Sequence, residues 1–182
     1  MNVKIYELHN GDDLCHITES DIDYILLDFR PSSPNCPTMI STHAGIIPDR
    51  SATDLIADSE GRIRRIGVFA DEMPQNIITR VVNYQLDVVL LDGSESPTLI
   101  RNLRRTLDPT ALEPSTAREG TIRRGIQFWK RVSEQQAANL PLCGDYASCV
   151  DAFVLDVVDV ACSKATDGVN VYVRFGAFLF RI

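Results

Sequence analysis

The chain has 182 residues, of which 45% are hydrophobic and 24% are charged, and its formal net charge is −7. This composition is typical of one ordinary globular domain, so we expect residues 1–182 to form a single domain. The acidic balance argues against nucleic acid as a partner, because nucleic-acid binders normally carry a basic patch. No apolar run approaches the roughly 18 residues of a membrane span. The first residues lack the basic start and apolar stretch of a signal peptide, so the expected location is the cytoplasm.

Strand-like runs alternate with helical patterns along the chain. The runs are mostly continuous rather than alternating, which is typical of strands buried on both faces. Two segments have a helical apolar stripe, residues 73–86 and 96–107, and in the second Ser96 is a candidate N-cap before Pro97. Six strands are predicted, at Val3–Leu8, Tyr24–Phe29, Arg65–Ala70, Asp87–Asp92, Gly125–Lys130 and Val150–Val158. The alternation indicates an α/β fold with a parallel sheet.

Three other segments carry weaker signals. Ser51–Asp58 favours a short helix, and residues 133–147 favour another helix that Pro141 interrupts. The arginine-rich stretch Arg101–Leu107 is interpreted as the solvated face of a helix. The run Val169–Ile182 is either a further strand or a cover for an exposed sheet edge, and an unpaired edge would favour a homodimer.

The cysteines and histidines do not have the spacing of a ligand set. The five cysteines are odd in number and contain no C-x-x-C pair, and the three histidines are scattered. This pattern argues against zinc and against a disulfide framework, and it predicts reduced thiols.

Several predicted strands end in an aspartate, namely Asp28, Asp92 and Asp156. In parallel α/β folds ligands meet the carboxyl ends of the strands, so an aspartate at that position can belong to a site. It can equally cap the following helix or turn. The pattern alone leaves both readings open for each residue.

The order of motifs resembles that of the phosphoribosylanthranilate isomerases, which are (β/α)₈ barrels of tryptophan biosynthesis. VKIYEL stands where the family has K-[VI]-C-G, and Phe29–Asn35 is similar to its F-x-P-x-S-P-R loop. Residues 65–97, including Gly93, are similar to a longer segment of the family, which consists of V-G-V-F, a helix and then L-D-x-V-Q-L-H-G-x-E-S-P. The resemblance implies a TIM-barrel-like fold, altered at the seventh and eighth strands, where the family's glycine-rich phosphate loop is not matched. A weaker likeness of DVVLLDG to the phosphoacceptor strand of response-regulator receivers lacks the acidic pair after the first strand.

The family's chemistry is an Amadori rearrangement of an aminoaldose that carries a phosphate and an aromatic carboxylate. It uses a general acid and a general base and requires neither a metal nor another cofactor. By position, Asp156 takes the place of the general acid, which would need a raised pKa to hold a proton near neutrality.

Four positions depart from the family's pattern. Tyr6 occupies the position of the family's cysteine, which acts as the general base, and Glu7 occupies that of the adjacent glycine. Either residue is therefore a candidate general base. Asn35 stands for the arginine that meets the substrate carboxylate, and Asp92 for a histidine. A negative Asp92 is expected to repel an anionic substrate.

The sequence therefore predicts an isomerase-like barrel whose activity is degraded or altered, with Asn35, Asp92 and Gly93 at the substrate. Two alternatives remain: a non-catalytic relative that serves binding or assembly, and a related enzyme that acts on a less anionic sugar phosphate.

Overall fold

The computed structural model describes residues 2–7, 23–34, 36, 39–42, 45–48, 63–111, 121–132, 144–156, 170–175 and 178–181. Ten strands occur in these ranges: β1 (Asn2–Glu7), β2 (Tyr24–Asp28), β3 (Met39–Thr42), β4 (Gly45–Pro48), β5 (Arg64–Phe69), β6 (Val88–Leu91), β7 (Gln127–Val132), β8 (Ala152–Asp156), β9 (Asn170–Phe175) and β10 (Phe178–Arg181). The helices are α1 (Pro74–Asn83), α2 (Pro97–Leu107) and α3 (Gly144–Ala147), with a 3-10 turn at Pro109–Ala111.

Eight strands form a closed barrel in the order β1, β10, β9, β8, β7, β6, β5, β2. All neighbours are parallel except β10, which is antiparallel to both β9 and β1. The prediction of a TIM-barrel-like fold altered at the seventh and eighth strands is confirmed. The run Val169–Ile182 supplies two barrel strands, β9 and β10, and because the barrel is closed the argument from an exposed edge does not apply.

The strand side chains divide into two clusters according to the alternation of faces along a strand. One cluster contains strand residues alone and fills the barrel: Ile5, Tyr24, Leu26, Ile66, Val68, Val88, Leu90, Trp129, Ala152 and Val154. The other joins the opposite strand faces to the helices, through residues such as Leu27, Val89 and Leu91 on the strands and Ile77 and Ile100 on the helices. Both faces of these strands are buried, and this explains why the strands are continuous apolar runs in the sequence.

Helix α2 begins as the sequence predicts. The Ser96 hydroxyl accepts a hydrogen bond from the Leu99 N–H at 3.3 Å, and Pro97 occupies the first helical position. Its arginines do not all face solvent, however. Arg101 and Arg105 are exposed, but Arg104 is buried against Phe128 and forms an ion pair with Asp151 at 2.5 Å. The solvated-face interpretation is therefore wrong for Arg104.

Other sequence predictions meet the structure only in part. The hairpin of β3 and β4 lies in a stretch whose sequence pattern is ambiguous. The predicted helix at Ser51–Asp58 lies outside the described residues, and of residues 133–147 the structure describes only the last four. Cys36 and Cys149 are thiols that form no disulfide bond. Within the described ranges, no helix has the length and apolar character needed to cross a membrane.

Candidate functional site at the carboxyl rim of the barrel

Charged side chains meet where β2, β6 and β7 end. Asp28 follows Leu26 by two residues, Asp92 follows Leu90, and Arg131 follows Trp129. The earlier residue of each pair belongs to the cluster inside the barrel. Alternation therefore directs Asp28, Asp92 and Arg131 to the inner side of the barrel at its carboxyl rim.

Asp28 and Arg30 form a multidentate ion pair at this rim. Arg30 donates from Nε and Nη2 to the Asp28 carboxylate, at 2.9 Å to Oδ1 and 2.6 Å to Oδ2, and its backbone N–H donates to Oδ1 at 3.1 Å. Burial alone would raise the pKa of Asp28, but the hydrogen bonds from Arg30 outweigh it and hold that pKa below its ordinary value. The hydrogen bond to Asp28 raises the pKa of Arg30 despite the opposing effect of burial. Both groups are therefore charged at neutral pH.

Asp92 lies between two arginines. Its Oδ2 accepts from Arg30 Nη1 at 2.5 Å and from Arg131 Nη1 at 2.9 Å. The four charges of Asp28, Arg30, Asp92 and Arg131 alternate in sign and sum to zero. The expectation that Asp92 repels an anion is therefore corrected, because two guanidinium groups neutralise its charge.

A small apolar cavity lies inside the barrel next to this ion-pair chain. Leu26, Leu90 and Trp129 line it together with Arg131. Arg131 thus contacts the cavity on one side and Asp92 on the other. A ligand at this mouth would meet guanidinium groups next to an apolar surface.

A second charged group lies behind the rim. Lys130 and Glu95 form a buried ion pair at 3.0 Å, and Lys130 also donates to the Leu91 and Gly93 carbonyls. Glu95 accepts the backbone N–H groups of Asp71 at 2.9 Å and Gly93 at 3.1 Å. This carboxylate therefore ties the segment after β5 to the segment after β6.

Gly93 stands where this join leaves no room for a side chain. A Cβ at residue 93 would lie 2.6 Å from the backbone nitrogen of Asp71, a contact that real Cβ atoms do not make. The Asp71 side chain approaches from the same direction and accepts from the N–H and hydroxyl of Ser94. Gly93 allows close backbone approach at the rim, and this is its observable role.

The remaining predicted residues lie at strand ends or outside the description. Tyr6 and Glu7 end β1, in register with Ile25 and Leu26 of β2. Asp156 is the last residue of β8, in register with Arg174 of β9. Their side chains and all of Asn35 lie outside the described structure. Within the described residues, no group of three or more His, Cys, Asp or Glu side chains is arranged to hold a metal ion.

Comparisons with known proteins point to one group of enzymes. The chain is 24% identical over 156 residues to the N-(5'-phosphoribosyl)anthranilate isomerase of Paramagnetospirillum magneticum, which covers 86% of this chain and 60% of the relative. No protein-family model matches the sequence. The chain is therefore similar to these isomerases at low sequence identity.

Solved structures of such isomerases share the fold. One phosphoribosylanthranilate isomerase, in complex with reduced 1-(o-carboxyphenylamino)-1-deoxyribulose 5-phosphate, has a TM-score of 0.60 at 20% identity, covering 86% of this chain and 66% of that one. Mutually generated monomers of the dimeric isomerase from Thermotoga maritima give 0.56 at 22% identity, covering 85% and 63%. The chain thus spans about 60% of the length of its curated relative and under two thirds of the Thermotoga maritima chain.

Two residues of the rim were missed from the sequence. Arg30 stands at the first variable position of the segment that is similar to the isomerases' F-x-P-x-S-P-R loop, and Arg131 follows the inward-facing Trp129 of β7 by two residues. A usable signal existed for Arg131, because the residue two positions after a buried inward side chain shares its face. Arg30 had no comparable signal, since its contact with Asp92 joins residues that are far apart in the sequence.

Proposed function

We propose that the chain is a phosphoribosylanthranilate isomerase-like barrel in which the Amadori rearrangement is weakened or altered. Asp156 is the general acid and the end of β1 supplies the base. Support comes from the likeness to named isomerases and from the topology. The strands from β1 through β2, β5, β6 and β7 to β8 are successively parallel, so β1 and β8 end at one rim. The register of β1 favours Glu7 over Tyr6, since Glu7 pairs with Leu26, whose side chain faces the barrel interior.

A carboxylate also suits the role of base better than a phenol. The ordinary pKa of tyrosine is about 10, so a phenol is protonated at neutral pH, whereas that of glutamate is about 4.3. The substrate of this proposal is a phosphorylated sugar amine that carries an aromatic carboxylate.

The antiparallel direction of β10 is the observation that supports a weakened isomerase activity. In (β/α)₈ barrels the loops after the seventh and eighth strands commonly build the phosphate site. Here only two residues separate β9 from β10, and the antiparallel β10 ends at the opposite rim. Loss of charge-assisted contacts to the phosphate, worth about 1.5–3 kcal/mol each, leaves less stabilisation for the transition state.

The experiment is turnover of phosphoribosylanthranilate by the purified chain beside the Paramagnetospirillum magneticum relative. We expect a rate that is lower than that of the relative by roughly 10³-fold or more. Asp156→Asn should abolish the activity that remains, because the variant lacks the general acid. Asp145→Asn, an equal change of charge at an exposed residue of α3, is the control and should retain the rate. Turnover equal to the relative's would contradict weakened chemistry, and turnover that survives Asp156→Asn would contradict the assigned acid.

The alternative is a non-catalytic relative that binds a ligand or a partner. The ion pairs favour it, because Arg30 and Arg131, the guanidinium groups described at the mouth, already have carboxylate partners within the chain. Binding of reduced 1-(o-carboxyphenylamino)-1-deoxyribulose 5-phosphate without any turnover of phosphoribosylanthranilate would support this alternative. A homodimer, by analogy with the Thermotoga maritima protein, is a further proposal that light scattering of the purified chain tests.

A further inference from the structure

We propose that the chain binds an acidic protein segment at the amino-terminal end of the barrel. The surface consists of Val82, Arg105, Ile122 and Arg124, and we call it the amino-end face. The partner presents carboxylates around an apolar side chain. This face lies at the end of the barrel opposite to the carboxyl rim, because α1 and α2 end before β6 and β7 begin. Binding there therefore does not depend on the proposed isomerase chemistry.

Hydrogen bonds fix the segment 121–125 at the end of α2. The N–H groups of Ile122 and Arg123 donate to the Leu107 carbonyl at 3.0 and 2.9 Å. The Gly125 N–H donates to the Asp108 carboxylate, which directly follows the helix, at 2.6 Å. The segment is therefore held at both of its ends.

The side chain of Arg123 extends from this segment to the end of α1. Its Nε donates to the Leu86 carbonyl at 2.9 Å, and its Nη2 donates to the Gln85 carbonyl at 3.1 Å and to Asp87 at 2.6 Å. The segment 121–125 thus joins the ends of the two helices. A surface held in this way needs little ordering when a partner binds, which favours affinity.

Two exposed apolar side chains stand at this junction. Val82 is in the last turn of α1 and is 52% exposed, and Ile122 is 43% exposed. Among the residues that the structure describes, the other large apolar side chain with comparable exposure is Met73, at the opposite end of α1. Contact of Val82 and Ile122 with a partner would remove apolar surface from water, which favours binding.

Two guanidinium groups accompany these apolar side chains. Arg105 is in the last turn of α2 and Arg124 is in the segment 121–125, and both are exposed. Within the described ranges neither forms an ion pair, whereas the neighbouring Arg123 is paired with Asp87. Guanidinium groups match carboxylates in geometry, and arginine is enriched among the residues that dominate protein–protein binding.

The charge of the whole chain selects the kind of partner. The formal net charge of −7 opposes an extended polyanion such as DNA or an anionic membrane, because such a partner meets the field of most of the molecule. A short acidic segment meets mainly the local cations, since charges beyond a Debye length of about 8–10 Å are screened. The amino-end face therefore suits an acidic protein segment with an apolar residue.

The experiment measures binding by fluorescence anisotropy, with a labelled Glu-Glu-Leu-Glu-Glu peptide titrated with the whole chain. The complex should weaken as ionic strength rises. Arg105→Gln combined with Arg124→Gln should weaken it by about fivefold or more, because two exposed ion pairs are lost. Ile122→Ser should weaken binding of this peptide more than binding of an all-glutamate peptide of equal length. These side chains are exposed, so the variants are expected to fold.

Two matched controls locate the site. Arg101→Gln removes the same charge from an exposed residue one turn nearer the start of α2, and Met73→Ser removes an exposed apolar side chain at the other end of α1. Both should bind the peptide as the wild type does. Losses in the controls equal to those in the Arg105, Arg124 and Ile122 variants would overturn the site. Absence of salt-sensitive binding would overturn the proposal.

Two further outcomes would overturn the choice of partner. A labelled DNA duplex that binds more tightly than the peptide would assign the face to nucleic acid. Self-association of the wild-type chain that is abolished by Arg105→Gln combined with Arg124→Gln would assign it to a second copy of the chain. Analytical ultracentrifugation of both proteins without peptide distinguishes the second case.

Discussion

At the scale of single residues, buried charges organise the carboxyl rim. Asp28, Glu95 and Lys130 are each buried, and each has an opposite charge or a backbone group within hydrogen-bond distance. Removing one member of a buried pair leaves the other charge desolvated and uncompensated, which costs more than the pair contributes. The rim is thus sensitive to single substitutions even where no ligand is touched.

Glu95→Gln should lower the free energy of unfolding by about 3–5 kcal/mol, since Lys130 would remain buried without its counter-charge. Denaturant unfolding measures this change. Asp145→Asn, which removes an exposed carboxylate, should alter stability by no more than about 0.5 kcal/mol. A loss of less than about 1 kcal/mol in Glu95→Gln would mean that Lys130 is adequately satisfied by the Leu91 and Gly93 carbonyls.

The lowered pKa of Asp28 predicts that the stability of the chain depends on pH. Its pKa in the folded chain is lowered from 3.8, so its contribution to stability is complete above that value and is lost as pH falls through the folded pKa. Asp28→Asn should therefore unfold more readily at neutral pH, and its stability should decline less steeply than that of the wild type in acid. Unfolding free energies between about pH 2 and pH 6 test this. Parallel curves for the two proteins would contradict it.

At the scale of elements, the start of α2 was readable from local chemistry. Ser96 and Pro97 specify the first turn through a cap and a fixed φ, and neither depends on distant residues. The burial of Arg104 was not readable in this way, because it depends on Asp151 and Phe128, which are brought close only by the barrel. The ion pairs that link Asp28, Arg30, Asp92 and Arg131 were missed for the same reason, although the two aspartates were recognised as strand-end residues.

Ser96→Ala should lower the free energy of unfolding by about 1 kcal/mol, because the Leu99 N–H loses its acceptor. Ser96→Asp should restore most of this loss, since a carboxylate caps the helix equally well and interacts favourably with the helix dipole. Thermal or denaturant unfolding of the two variants makes the comparison. Equal losses in both would show that the position depends on side-chain size and not on capping.

At the scale of the whole molecule, the parallel strands and a barrel were predicted, but closure of the barrel by an antiparallel strand was not. Continuous apolar runs indicated parallel strands buried on both faces, and six of them were found near their predicted places. No local pattern in Val169–Ile182 distinguishes a parallel from an antiparallel strand. The direction of β10 is set by its two-residue connection to β9, which allows only a hairpin.

Deleting residues 178–182 should open the barrel and leave β1 and β9 as unpaired edges. Unpaired edges promote association, so we expect the shortened chain to be less stable and to form larger species in light scattering. Amide exchange in β1 should also become faster, because its bonds to β10 are lost. A monomeric shortened chain with unchanged exchange would contradict the role of β10 in closure.

The pairing of β1 with β10 also bears on how the chain folds. Asn2 and Phe180 are register partners, so the last contact of the ring joins segments from opposite ends of the sequence. Contacts of such high sequence separation slow folding, since a long loop must close before the contact stabilises anything. A nascent chain therefore cannot complete its ring until β10 has left the ribosome, and until then the first strand depends on β2 alone.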